Sequence, residues 1–304
     1  MVDRLFISFS GGETSAKMTR DLLTTWRNRY SDIVVGFANT AQEREETLEF
    51  IRECDEQFGF GTVWLEAVIH PEKGRGTTHR IIDFDTACRN GEPFEAMIRK
   101  FGVPNNSYPH CTRELKQRPM ESYIRSLGWE SGTYHKAIGI RSDEGHRRSS
   151  SAEKNGIVYP FLDWSPTAKP EVNLFWREQN WRLRLMGYQG NCRWCWKKSF
   201  RKHLTILDED ATVYDFPKRM EAAYDLVGPE FAKGTAPGYR RKFFRGNLST
   251  KQLRELYEQE KDRFVHAEND AAIYEHQLVM FDEEPSDGHC TESCEVTWDE
   301  GEAV

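Results

Sequence analysis

The chain has 304 residues, 38% of them hydrophobic, enough to bury one substantial core with an appended subdomain. Its net charge of −7 argues against coating nucleic acid by bulk charge, although a local basic patch is compatible with it. No apolar run approaches the roughly 20 residues that span a bilayer, and the N-terminus leads straight into an apolar segment, so neither a membrane span nor a secretory signal is expected.

In chain order, Leu5 to Ser8 reads as a short apolar strand ending at Ser10-Gly11-Gly12. Ala16, Met18, Leu22 and Trp26 then recur at helical spacing. Ile33 to Ala38 is a second buried strand, and Arg44 to Phe58 an amphipathic helix carrying Leu48, Ile51 and Phe58. Thr62–Val68 and Tyr134–Ile140 read as the third and fourth strands, with helices at Glu92–Phe101 and Thr112–Leu127 between them, and Val158–Phe161 as a fifth strand. This alternation predicts an α/β fold, a doubly wound parallel sheet, with ligands at the carboxyl ends of the strands, where the Ser-Gly-Gly turn and Asn39 both fall. Beyond it, Lys169–Met186 reads as an aromatic-rich helix entered through Pro170, and Ser249 with Gln252 caps a long helix to about His276. Three regions follow: residues 1–204, a helical region over 205–281, and an acidic, mobile tail over 282–304.

Two kinds of chemistry stand out. The glycines at 11 and 12 let the backbone approach a phosphate, the following helix supplies N–H donors, and Ser10 and Ser15 add hydroxyls. Ser-Gly-Gly alone is an ordinary turn; the strand before it and the helix after it favour phosphate. The second is thiol chemistry. Seven cysteines, an odd number, point to a reducing, cytoplasmic setting in which paired thiols are more often metal ligands or redox groups than disulfides. Cys192-Arg193-Trp194-Cys195 with His110-Cys111 suits a soft metal centre, and spacing alone does not separate zinc on three cysteines and a histidine from an iron–sulfur cubane with one open iron. Cys54, in a helix, reads as a small buried residue. The basic residues Arg193, Lys197, Lys198, Arg201 and Lys202, interleaved with Trp194, Trp196 and Phe200, read as packing in preference to a base-stacking face; the similar stretch Arg240–Arg245 stays open between the two.

Phe9-Ser10-Gly11-Gly12-Glu13-Thr14-Ser15 resembles the S-G-G-x-D-S loop of the adenine-nucleotide alpha-hydrolase (PP-loop) superfamily, with Thr14 standing where that pattern has Asp. Residues 37–51, the stretch Cys111 to Pro119 with Lys116, and Gly139 to Arg148 with Arg141 and Arg147 resemble segments of the phosphoadenosine phosphosulfate (PAPS) and adenosine phosphosulfate (APS) reductase family. The resemblance covers about two-thirds of the chain. It implies a Rossmann-like fold binding PAPS, APS or ATP through Ser10, Gly11, Gly12, Thr14, Ser15 and Asn39, with Lys116, Arg141 and Arg147 facing a sulfate. It also implies a [4Fe–4S] cluster on Cys111, Cys192 and Cys195, with His110 as a fourth donor or an iron left open; zinc is the alternative. In the reductase version, Cys290 or Cys294 of the tail attacks the sulfonyl sulfur and a thioredoxin-like thiol then frees sulfite. In a thiolase version, ATP activates an oxygen of a nucleobase or DNA phosphate for sulfur transfer. A non-catalytic nucleotide or metal sensor on the same fold is the third expectation.

Overall fold

The computed structural model describes residues 3–190, 192–227 and 240–272. Six strands form one sheet: β1 (Arg4–Ser8), β2 (Asp32–Asn39), β3 (Val63–Val68), β4 (Thr78–Ile82), β5 (Tyr134–Ala137) and β6 (Ile157–Val158), in the spatial order β4-β3-β2-β1-β5-β6. All pairings are parallel except β3 with β4.

Alternation along the central strands builds both faces. Leu5 and Ile7 of β1, with Val35 and Phe37 of β2 and Trp64 of β3, pack against α1 (Glu13–Leu23) and α2 (Glu45–Phe58) through Met18, Leu22, Leu48 and Ile51. Phe6, Ala38 and Leu65 point to the opposite side. There they meet Met120 and Ile124 of α4 (Arg118–Ser126), which follows α3 (Glu92–Phe101). A Cβ on Gly36 would lie 2.3 Å from the Phe6 ring, so the middle of β2 gives up a side chain to seat that ring. The strands are therefore covered on both faces, the expected double winding.

Past the sheet come α5 (Pro160–Asp163), α6 (Lys169–Arg177), α7 (Phe200–Glu209), α8 (Asp215–Tyr224) and α9 (Thr250–Glu260). The last three share one apolar cluster with α3 and the tryptophans of the Cys192–Trp196 turn: Phe94, Met97, Trp194, Trp196, Ile206, Met220 and Leu253.

Several sequence expectations are corrected. β4 is an antiparallel edge strand that the sequence reading passes over. It is half exposed and polar, and an edge strand with one uncovered side carries no buried alternation to read. Thr112–Leu127 is two pieces, a π-helical run over Cys111–Gln117 followed by α4. β5 stops at Ala137, and Phe161 lies in α5 instead of a strand. The helix expected over Lys169–Met186 ends at Arg177, and the segment beyond is tied down by Arg182 to Glu13 and Arg184 to Glu49. The capping box of Ser249 and Gln252 is present, but α9 closes at Glu260. The tail region, with Cys290 and Cys294, lies outside the described residues. Among the described residues, no helix is long and apolar enough to cross a membrane.

Candidate functional site

β1 lies at the point where the order of connection reverses, with β2 on one side and β5 on the other. At its carboxyl end the chain turns through Ser10-Gly11-Gly12 into α1, the position at which open α/β sheets take their ligands. The two glycines do different work. Gly11 has φ +77°, and a Cβ there would stand 2.8 Å from both Ile51 Cδ1 and Thr47 Cγ2, so the fold itself demands glycine. Gly12 caps α1 with extended dihedrals (φ −103°, ψ 159°), and its nearest neighbour to a Cβ would be Ser10 Oγ at 3.7 Å. Nothing in the fold needs Gly12 to lack a side chain; the room is on the cleft side.

Ser15 is fully buried. Its hydroxyl donates to Gly12 O (2.9 Å) and accepts from Ser10 N (3.3 Å). Since its one proton is committed, the Ser10 hydroxyl is the donor in their 2.8 Å contact. Both hydroxyls thus hold the loop's shape. The donors left for an anion are main-chain: the first i→i−4 bond of α1 runs from Ala16 N to Gly12 O, so the N–H groups of Glu13, Thr14 and Ser15 have no carbonyl within the helix.

The loop lines an open cleft. Arg141 and Lys169 supply its cations. Arg141 is 6% exposed and held by Asp143 (Nε, 3.0 Å) and Glu144 (3.5 Å), while its Nη1 donates to Thr14 Oγ1 at 3.5 Å. Thr14, the departure from the family pattern, is therefore where the arginine loop touches the phosphate loop. Arg147 pairs with Glu144 (2.6 Å) and does not line the cleft; neither does Lys116, half-buried on the π-helical run. Asn39 also stays out. It is fully buried, donating to Glu66 Oε1 (2.6 Å) and Cys88 O (2.9 Å) and accepting from Ala41 N (3.0 Å), which uses both amide protons inside the fold. The sequence reading missed Lys169, Thr47, Leu183, Leu185, Met186 and Ala271. All come from other elements; Thr47 lies in the 37–51 segment that resembles the reductases but was not singled out there, and no local motif marks the rest.

Two of the thiols follow part of this cleft in the chain. Gly190 lines it, and Cys192 lies two residues further along. Cys192 and Cys195 are buried against each other across a turn closed by Cys195 N donating to Cys192 O (3.1 Å). Thr40 Oγ1 lies 3.4 Å from Cys192 Sγ. Trp196 Nε1 donates to Cys111 Sγ (3.4 Å), bringing the third thiol to the same turn. His110 behaves otherwise. Arg113 Nη2 lies 3.3 Å from His110 Nδ1 and can only donate, so Nδ1 accepts and the proton of the neutral ring sits on Nε2. Burial holds the imidazole down to about 3, with Arg113 and Arg241 adding to the effect, and Nε2 is sealed from solvent with no partner. A protonated Nε2 offers no lone pair to a metal. Among the described residues, no three His, Cys, Asp or Glu side chains are spaced to hold one metal ion.

The basic, aromatic stretches are packing. Trp194 is 1% exposed, donates to Gln42 Oε1 (2.6 Å) and stacks on Phe216. Lys198 is buried with its ammonium on the carbonyls of Tyr188 (2.9 Å) and Gly190 (2.5 Å). Arg241 caps Phe101 O and lies over the Tyr108 ring, and Arg245 donates to Lys197 O. Cys54 is fully buried in α2, as expected, with its thiol pushed well up by burial.

No family model matches the chain. It is 29% identical over 297 residues, 95% of this chain and 94% of the relative, to the uncharacterized nin region protein ORF290 of Escherichia phage lambda. It is 23% identical over 169 residues, 53% of this chain and 29% of the relative, to an uncharacterized protein of Methanocaldococcus jannaschii. Among solved structures it is similar to the phosphoadenylyl-sulfate (PAPS) reductase of Candida auris, crystallised as a phosphate complex, with a TM-score of 0.33 and 16% identity over 57% of this chain and 71% of that one.

Proposed function

We propose that this chain binds an adenine nucleotide, with a phosphate on the Ser10–Ser15 loop, and is an enzyme of sulfur metabolism. The observation that supports the reading is the cleft at the sheet's switch point, where Gly12 keeps an open face, the first turn of α1 presents main-chain N–H groups, and Arg141 and Lys169, each also ion-paired within the fold, are among the lining residues. The adenine and the sulfur rest on the sequence resemblance.

The reaction favoured is reduction of APS or PAPS. A thiolate attacks the sulfonyl sulfur, the sulfur–oxygen bond to the phosphate breaks, and AMP or its 3′-phosphate leaves on that oxygen. A second thiol, from an external thioredoxin-like dithiol, then attacks the enzyme's sulfur; sulfite departs with the electron pair and a disulfide forms. Support for a tail thiol comes from chain connectivity. Ala271 lines the cleft, and Cys290 follows roughly 20 residues later, a length whose covalent reach of up to about 65 Å includes the cleft. No step is routed through a metal.

A second reading, ATP-dependent sulfur transfer to a nucleobase or DNA phosphate, draws on the position of Cys192 and Cys195 two and five residues beyond cleft-lining Gly190. The deciding experiment gives the full chain APS, PAPS and ATP separately, with a dithiol and with or without DNA. Sulfite release that disappears on deleting residues 286–304, while nucleotide binding persists, is the expected result. Cleavage of ATP that requires nucleic acid, with APS and PAPS untouched, would replace the first reading by the second.

A further inference from the structure

The cleft has two unlike sides. One is the phosphate loop with Arg141 and Lys169; the other is the segment after α6, where Leu183, Leu185 and Met186 face the cleft. That segment alternates in its partners. Arg182 takes both carboxylate oxygens of Glu13 (2.9 Å each) and Arg184 takes Glu49 (2.5 Å), while Leu183 and Leu185, between and beyond them, turn to the cleft. Its far end is fixed too: Met186 N donates to Gln189 Oε1 (3.1 Å) and Gly187 N to Asn269 Oδ1 (2.9 Å). The wall is thus held at four points, yet Met186 is 45% exposed. Leu183 also packs against the core beneath the sheet helices, which anchors the segment from behind, and a clamped segment that presents apolar side chains to a cleft is suited to a flat apolar partner.

We propose that Leu183, Leu185 and Met186 form the base-binding wall of this site, taking the face of the nucleobase whose phosphates lie on the Ser10–Ser15 loop. This rests on the nucleotide reading above and deepens it. An anion-binding end and an apolar face in one cleft fit a ligand with both an anionic and an apolar part, as a nucleotide has and inorganic phosphate or sulfate does not. Methionine suits such a wall, because its flexible, polarizable thioether adapts to an aromatic ring. The arginines at 182 and 184 fix the wall's distance from α1 and α2 and are positioning residues.

The test compares ATP with inorganic tripolyphosphate on the full chain by calorimetry. Wild type should bind ATP tighter than tripolyphosphate. The double change Leu185→Ser with Met186→Ser should weaken ATP about ten- to a hundredfold and leave tripolyphosphate and the melting temperature essentially unchanged, since Met186 is exposed. If wild type binds both ligands and the double change leaves ATP untouched, the base lies elsewhere and the wall is refuted while the phosphate loop stands. If wild type binds neither, the nucleotide reading falls and the wall with it.

Discussion

The sharpest test of the site is the contrast between two adjacent glycines. Replacing Gly11 by Ala forces a side chain into φ +77° and sets its Cβ 2.8 Å from Ile51 and Thr47. The dihedral costs about 1–2 kcal/mol and the overpacking about 1–3 kcal/mol more, so the variant should lose roughly 2–5 kcal/mol of stability. Replacing Gly12 by Val meets neither penalty. Its φ of −103° suits any residue, and the nearest atom to the new Cβ is 3.7 Å away. Stability should fall by about 0.5–2 kcal/mol at most, the usual cost of an apolar residue at an N-cap, and so by less than for Gly11→Ala. Binding should respond in the opposite way. A valine side chain in the space that a phosphate must enter removes at least one or two charge-assisted bonds to the first turn of α1, each about 1.5–3 kcal/mol. That is a loss of about a hundredfold in affinity. Urea melts read the first quantity, and calorimetric titration with ATP, APS and PAPS reads the second. If Gly12→Val unfolds as readily as Gly11→Ala, or still binds nucleotide at wild-type strength, the assignment of separate roles is wrong.

Three further outcomes follow from buried polar groups. Asn39→Ala should cost about 2–4 kcal/mol, since it strips an acceptor from Ala41 N and a donor from the fully buried Glu66; nucleotide affinity of the folded protein should be unchanged, and a selective binding loss would return Asn39 to the site. His110→Phe keeps the ring contact with Tyr108 and removes the sealed Nε2–H, so stability should hold or rise by about 1 kcal/mol with iron and zinc content unaltered; a fall in bound metal would contradict the tautomer assigned here. His203 is fully buried, and burial drives its imidazole well below its ordinary value, so the unfolded chain binds the proton more readily and stability is lost as pH falls below about 6.5. His203→Leu should flatten the pH dependence of urea stability between pH 6 and 5 by about 1 kcal/mol per pH unit, and an unchanged slope would mean the ring is charged in the folded state.

What the sequence disclosed is what short-range chemistry encodes. The continuous apolar runs marked β1 and β2 as strands, the helical spacing of apolar residues marked α2, and two glycines after a strand marked the phosphate turn, because each signal lies within a few neighbouring residues. Arg141 was named from the segment that resembles the PAPS and APS reductases, and it lines the cleft. Asn39, Arg147 and Lys116 were named from the same kind of evidence, and the cleft leaves them outside: proximity to a strand end does not tell whether a side chain faces ligand or core, and only the packing of Glu66 and Cys88 from other elements turned Asn39 inward.

The sequence alone determined the strand–turn–helix that opens the chain, the parallel double winding and the neighbouring thiols of Cys192 and Cys195. Tertiary structure decided the rest of the site. Lys169, the wall of Leu183, Leu185 and Met186, and Ala271 lie more than a hundred residues from Ser10 and reach the cleft through pairs such as Arg182 with Glu13 and Trp176 Nε1 with Glu13 O. Such contacts leave no periodic trace, since a residue's local spacing records which face of its own element is buried and not which distant element covers it.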